Sequence, residues 1–184
     1  LVLKQSSEKG LDIKDMAEIN VDGDIGGYLK VSNCTGDVTI NGSVSDYVLA
    51  TVDGNVKIVG NSEKPLIDGG IVSDVTASSL LLENTSGGKL GKVTFTKPDS
   101  TKTYRVTTGK SSTDPDRISV IMKGNSYTLS ADSDISYLYI EPTDPETPPE
   151  PEVPAELEII VNGKSYKFGK DAAHTTLNDD SGVM

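Results

Sequence analysis

The run Gly36-Asp37-Val38-Thr39-Ile40-Asn41-Gly42 is the strongest single constraint on how this chain folds. Val38 and Ile40 are β-branched and lie two positions apart, so on a strand they share one face. The glycines at either end leave room for only a very short strand before the chain turns. A two-residue hairpin turn at Asn41-Gly42 is the obvious local solution. It fails on packing, because it would set Ile40 opposite Ser43 and Val38 opposite Ser45. A corner suits the run better: a short strand, an Asn-Gly bend, then a strand on a new face. The run returns as Gly54-Asn55-Val56-Lys57-Ile58-Val59-Gly60 and, more loosely, as Gly91-Lys92-Val93-Thr94-Phe95, with an echo at Gly23-Asp24-Ile25-Gly26-Gly27. Such repetition points to stacked rungs, each too small to bury its apolar face alone. Asp53-Gly54 allows both readings, since a hairpin there would pair Leu49 with Ile58.

Composition agrees with a narrow core. Only 35% of the 184 residues are hydrophobic and 5% are aromatic, there is no Trp, and Gly is abundant at 18. Short runs rich in Val, Ile, Thr and Tyr recur at 37–40, 47–52, 55–59, 80–82, 92–96, 102–107, 117–123, 126–130 and 136–141, broken by Gly, Asn, Asp and Ser. The sole helical candidate is the stretch 13–19. The expected class is all-β, with a short-rung β-solenoid over residues 11–91.

The following segment reads as an antiparallel meander over residues 92–141. A turn at Gly124-Asn125 would face Met122 with Tyr127 and Val120 with Leu129, and Val93-Thr94-Phe95 and Tyr104-Arg105-Val106 flank the loop 98–101. Residues 142–155 form an acidic Pro-rich linker. Its prolines fix φ and remove donors, which implies a polyproline-II spacer advancing about 3.1 Å per residue. Residues 156–184 are expected to hold a β-hairpin and a polar tail. With Asn162-Gly163 as a type I′ turn, Ile159 faces Tyr166, Leu157 faces Phe168, and Glu158 sits opposite Lys167. A lone hairpin is marginal in water. The apolar face of Leu157, Ile159, Val161, Tyr166 and Phe168 is therefore expected to meet a protein partner or another copy of the chain.

Several function classes are disfavoured by the residues available. The net charge is -11, and Arg105 and Arg117 are the only arginines, which leaves no basic surface for nucleic acid. No apolar run is long enough to span a bilayer. The single cysteine, Cys34, reads as a small β filler, and a thiol catalyst would need a nearby base, whereas the one histidine is His174. Asn20-Val21-Asp22-Gly23-Asp24 has alternating oxygen ligands, but Ile25 and Val31 stand where a calcium loop needs Gly and Glu. That segment, Asp114-Pro115-Asp116 and Asp132-Ser133-Asp134 read as turns. With 28 acidic residues, proximity of two carboxylates says nothing about glycosidic chemistry. Tyr28 and Tyr47 supply few aromatics for sugar stacking, and Tyr137 and Tyr139, on one face of a strand, are read as packing residues rather than a sugar platform. No enzyme activity, cofactor or metal is expected.

Residues 20–95, through Gly-Asp-Val-Thr-Ile-Asn-Gly and Gly-Asn-Val-Lys-Ile-Val-Gly, resemble the short-rung parallel β-solenoids of bacteriophage spikes, fibres and capsid decorations and of bacterial surface adhesins. The acidic Pro-rich spacer is similar to those joining modules in such proteins. The resemblance implies a non-enzymatic structural appendage, often trimeric, located on a virion. The capsid, the tail or a second copy would then be the partner of the C-terminal hairpin, with a surface glycan as a possible further ligand. A bacterial cell-surface adhesin or carbohydrate-binding module is the alternative, and a fragment of a β-helix glycan-cleaving enzyme a third.

Overall fold

A computed structural model describes residues 1–60, 73–143, 158–161 and 164–167. The chain divides into two units, Leu1–Pro145 and Glu146–Met184. The described residues are all-β, with no helix; the stretch 13–19 is the end of one strand, a corner and the start of the next.

The first unit opens as a β-solenoid of about four turns. One sheet is built from β1 (Val2–Leu3), β3 (Ile19–Val21), β5 (Val38–Ile40), β7 (Asn55–Gly60) and β9 (Ser79–Asn84), all parallel. A second sheet stacks β2 (Leu11–Lys14), β4 (Leu29–Cys34), β6 (Val48–Val52), β8 (Ser73–Thr76) and β10 (Val93–Thr96) in the same parallel sense. A narrow third face is marked by the bridges Ser7–Ile25–Val44. Equivalent outward positions on the first sheet are Val2, Asn20, Thr39, Lys57 and Leu81. The first three intervals are nearly equal and the last is longer, which is why the repeat is uneven in sequence.

The alternation that defines a strand decides what is inside. Val38 and Ile40 are fully buried, stacked between Ile19 and Val21 below and Val56 and Ile58 above. From the second sheet come Leu29, Val31, Val48, Ala50, Val75, Val93 and Phe95, and from the third face Ile25 and Val44. The small cross-section explains how 35% hydrophobic residues suffice: one or two branched side chains per face fill each rung. Cys34 is one of these fillers, buried, with its thiol directed at the Gly36 carbonyl.

Corners are held by polar ladders between rungs. Asp37 Oδ1 accepts from both the backbone and the side-chain amide of Asn55, and Ser79 donates on to Asn55 Oδ1 at 2.8 Å. Asp22 accepts from Asn41 Nδ2 at 2.8 Å, and Asp24 from the Ser43 backbone N–H at 2.8 Å. Asp22 and Asp24 thus each accept, through Oδ1, from the next rung. Asn41-Gly42 is a corner, as the serine test requires. Asp53-Gly54 is one too: β6 and β7 lie in different sheets, so Leu49 and Ile58 do not pair. The echo at Gly23–Gly27 belongs to another face, since Ile25 stacks with Val44 and not with Val38.

Past the solenoid, both sheets continue with antiparallel strands that close the stack. The first adds β14 (Tyr137–Thr143), β11 (Thr103–Gly109) and β12 (Ile118–Ile121), in the order β9-β14-β11-β12. The second adds β13 (Ser126–Leu129) against β10. This corrects the expected meander in two places. Residues Met122 to Tyr127 do not form a hairpin, because β12 pairs with β11 while β13 pairs with β10 in the opposite sheet. β10 and β11 do not pair either; β10 is the last parallel strand, so stacking runs from Val2 to Thr96 rather than over 11–91. β14 also continues two residues into the 142–155 segment. Pro142 is accommodated because β14 has no partner on the β9 side beyond Ile140. The rest of that linker, from 144, lies outside the described residues.

In the second unit, β15 (Glu158–Val161) and β16 (Lys164–Lys167) run antiparallel, with Ile159 in register with Tyr166 and Glu158 with Lys167. The connecting Asn162-Gly163, and Leu157, Phe168 and His174, lie outside the described residues.

Candidate functional site

A depression among the described residues of the first unit lies on the outward face of the closing strands. Residues Tyr137, Tyr139 and Glu141 of β14 point outward beside Thr107 and Arg105 of β11, followed by Ser119 of β12. The register sets Tyr139 beside Thr107 and Thr107 beside Ser119, and sets Glu141 beside Arg105. Together with Thr113, Asp114, Pro115 and Arg117 they line a groove of about 480 Å³. Both arginines of the chain are in it.

The wall formed by residues 110–117 is fixed by its own hydrogen bonds. Asp114 accepts from the Lys110 N–H at 2.8 Å through Oδ2 and from the Asp116 N–H at 3.0 Å through Oδ1. These bonds, the Lys110 amide first, hold the Asp114 carboxyl below the usual range. The Ser112 N–H donates to Glu83 Oε1 at 2.7 Å, which ties the loop to the end of β9. Glu83 is nearly buried, so this bond satisfies a carboxylate that would otherwise be costly to place there. Arg117 Nε donates to the Asp114 carbonyl at 3.1 Å. Its stem crosses the strand at Gly109, where a Cβ would lie 2.6 Å from Arg117 Cγ. The bare backbone at Gly109 leaves room for the Arg117 stem, and Arg117 and Tyr137 both line the groove.

Burial, then the Glu141 carboxylate, pushes the Tyr139 phenol up to about 12. Burial also raises Tyr137, Tyr104 and Tyr127. In each case the native state favours the neutral phenol, so the folded pKa lies above the ordinary 10.0. The associated stability is fully present below pH 10 and is lost as pH rises through the folded values. Titration followed by phenolate absorbance is expected to show a late component near pH 12, which Tyr139→Phe removes. The melting temperature is expected to fall from about pH 10 upward; a flat profile to pH 12 would contradict these environments.

A second, smaller depression of about 290 Å³ lies on the outward face of the other sheet. There Ser32, Thr51, Thr76 and Thr96 form one row, beside a row containing Lys30, Leu49 and Asp74. It offers hydroxyls without an aromatic or a guanidinium. Tyr28 and Tyr47 stack on each other elsewhere, with centroids 5.3 Å apart and planes 10° apart, and Tyr28 packs over Gly10. That column is cross-rung packing. Among the described residues, no group of three His, Cys, Asp or Glu is placed to hold a metal. No protein-family model matches the chain, and neither the curated proteins nor the solved structures give a match.

The residues expected to make a partner contact are placed only in part. Ile159, Val161 and Tyr166 lie on the paired strands of the second unit, and Leu157 and Phe168 fall outside the described residues. Sequence reasoning passed over the groove, treating Arg105 and Arg117 as evidence of scarce basic charge and Tyr137 and Tyr139 as packing. A signal was present in the pattern Arg105-x-Thr107, Arg117-x-Ser119 and Tyr137-x-Tyr139-x-Glu141. Three strands keep polar or aromatic groups on one side, which marks a solvent-facing sheet surface.

Proposed function

We propose that this chain is a non-enzymatic appendage protein: a stiff β body that displays a ligand-binding face and attaches through its C-terminal hairpin. The observation that carries the reading is the continuous stack, in which parallel rungs pass without interruption into antiparallel strands bearing one pre-built groove. A stack bonded along its whole length holds such a groove at a fixed position. The groove contains arginine, carboxylate, hydroxyl and phenol groups and no thiol or imidazole; its Asp114 is held ionised by backbone donors, which suits a structural acceptor better than a general acid. A virion fibre or decoration protein is the setting this architecture suits best. The groove itself favours a second setting, a bacterial cell-surface adhesin or carbohydrate-binding module.

The attachment face consists of Leu157, Ile159, Val161, Tyr166 and Phe168, with the capsid, the tail or a second copy as the partner. Light scattering is expected to give an oligomer, a trimer in the fibre setting, for the full chain, and a monomer for a chain ending at residue 145, which keeps the whole first unit. The same number of subunits in both would remove the hairpin from assembly. A monomeric full chain would favour the binding-module setting.

A further inference from the structure

We propose that the groove lined by Tyr139, Arg105 and Arg117 binds a neutral saccharide, with Tyr139 as the surface on which a sugar ring rests. This identifies the ligand class of the binding face put forward above and rests on that reading.

Charge balance selects the ligand class. The groove holds two guanidinium groups, Arg105 and Arg117, and two carboxylates, Asp114 and Glu141. Formally these cancel, so an anionic ligand gains no net attraction, and the chain as a whole carries -11. A phosphate or polyanion site would need unmatched basic groups. A purely apolar ligand would strand the charged and hydroxyl groups without partners. A sugar hydroxyl both donates and accepts, so it matches a surface on which donors and acceptors alternate at neighbouring positions. The register supplies such pairs: Arg105 beside Glu141, and Thr107 beside Ser119, whose hydroxyl oxygens are 2.7 Å apart.

Shape and rigidity agree. About 480 Å³ lies within the ordinary range of small-ligand sites and accommodates one or two sugar rings. Tyr139 is half-buried in the row Leu81–Tyr139–Thr107–Ser119, so part of its ring is available to the apolar C–H face of a sugar. The groove is also formed before any ligand arrives. Its floor is a hydrogen-bonded sheet, and its wall is pinned by Asp114, by Ser112 on Glu83 and by Arg117 lying across Gly109. Little ordering entropy then remains to be lost on binding.

The test uses the full chain titrated calorimetrically with cellohexaose, maltohexaose and N-acetylchitohexaose as neutral probes and hexagalacturonate as the acidic one. At least one neutral probe is expected to bind. Tyr139→Ala and Arg105→Leu are each expected to weaken that binding tenfold or more, while Tyr139→Phe, which keeps the ring, stays within about threefold of the parent. Thr51→Ala, on the other sheet, is expected to change nothing. Ser119→Gln places bulk in the groove from an exposed edge-strand position without touching the core, so its loss of binding separates occupancy of the groove from damage to the fold. The proposal is overturned if no neutral probe binds, if only hexagalacturonate binds, or if Tyr139→Ala or Ser119→Gln binds as the parent does. Failure here with oligomerisation through residues 156–184 intact would discard the saccharide and keep the appendage; a monomer that still binds the sugar would do the reverse.

Discussion

Phe95→Ala is expected to destabilise the first unit by about 3–5 kcal/mol, the usual cost of removing a buried phenylalanine. Phe95 is the only phenylalanine of that unit and is fully buried on β10, the strand where the second sheet changes from parallel to antiparallel. In register it lies between Val75 and Tyr127, and across the core its ring meets that of Tyr104 at 5.7 Å between centroids, tilted by 50°. Tyr104 is on β11 in the other sheet, so this pair joins the two sheets where the solenoid gives way to the closing strands. In a stack whose rungs touch only their neighbours, the ends loosen before the middle. Loss of the ring should therefore expose amides of β11 to β13 to hydrogen exchange before those of β3 to β6. Denaturant unfolding followed by far-ultraviolet circular dichroism gives the magnitude. Phe95→Leu should recover a substantial part of the loss, since it restores most of the volume. A Phe95→Ala midpoint equal to the parent's would show that this pair does not close the core.

Gly36→Ala is expected to cost about 3 kcal/mol, at the upper end for inserting a methyl into packed structure. A Cβ on Gly36 would stand 2.1 Å from the Ala17 carbonyl oxygen, and one on Gly54 would stand 2.4 Å from the Gly36 carbonyl carbon. Both obstacles are backbone, which cannot swing aside as a side chain can. Rungs spaced about 4.8 Å apart leave no room where a corner of one sits directly on the corner of the next. Gly124→Ala is the matched control, because a Cβ there meets nothing within 4 Å. It is expected to be neutral or to stabilise by up to about 1 kcal/mol through the unfolded chain. On a domain of this size a 3 kcal/mol loss lowers the melting temperature by roughly 10 °C. Equal melting temperatures for the two variants would mean that Gly36 does not mark a stacked corner.

The glycines and alternating β-branched residues of the first half are legible because their constraint is local. A Gly-x-Val-x-Ile run fixes which side chains share a face, and its failure as a hairpin leaves stacking as the way to bury Val38 and Ile40. Cys34 as a filler follows from the same alternation. The misread hairpins failed for a different reason. Facing Met122 with Tyr127 tests only whether the two side chains point to a common interior. Both sheets point to one interior, so the test is passed equally by strands paired edge to edge and by strands opposed across the core. Phe95 and Tyr104 do meet, but through the core and not along a ladder.

What the sequence determined alone is the β class, the stacked rungs and the corners at Asn41-Gly42, since each follows from side-chain alternation within a few residues. What only the tertiary structure decided is which strand lies beside which, and with it the groove. β14 inserts between β9 and β11, strands far apart in the chain, and that insertion brings Tyr139 beside Thr107 and Glu141 beside Arg105. Strand order is a long-range outcome of sheet pairing and core closure; no local periodicity encodes it.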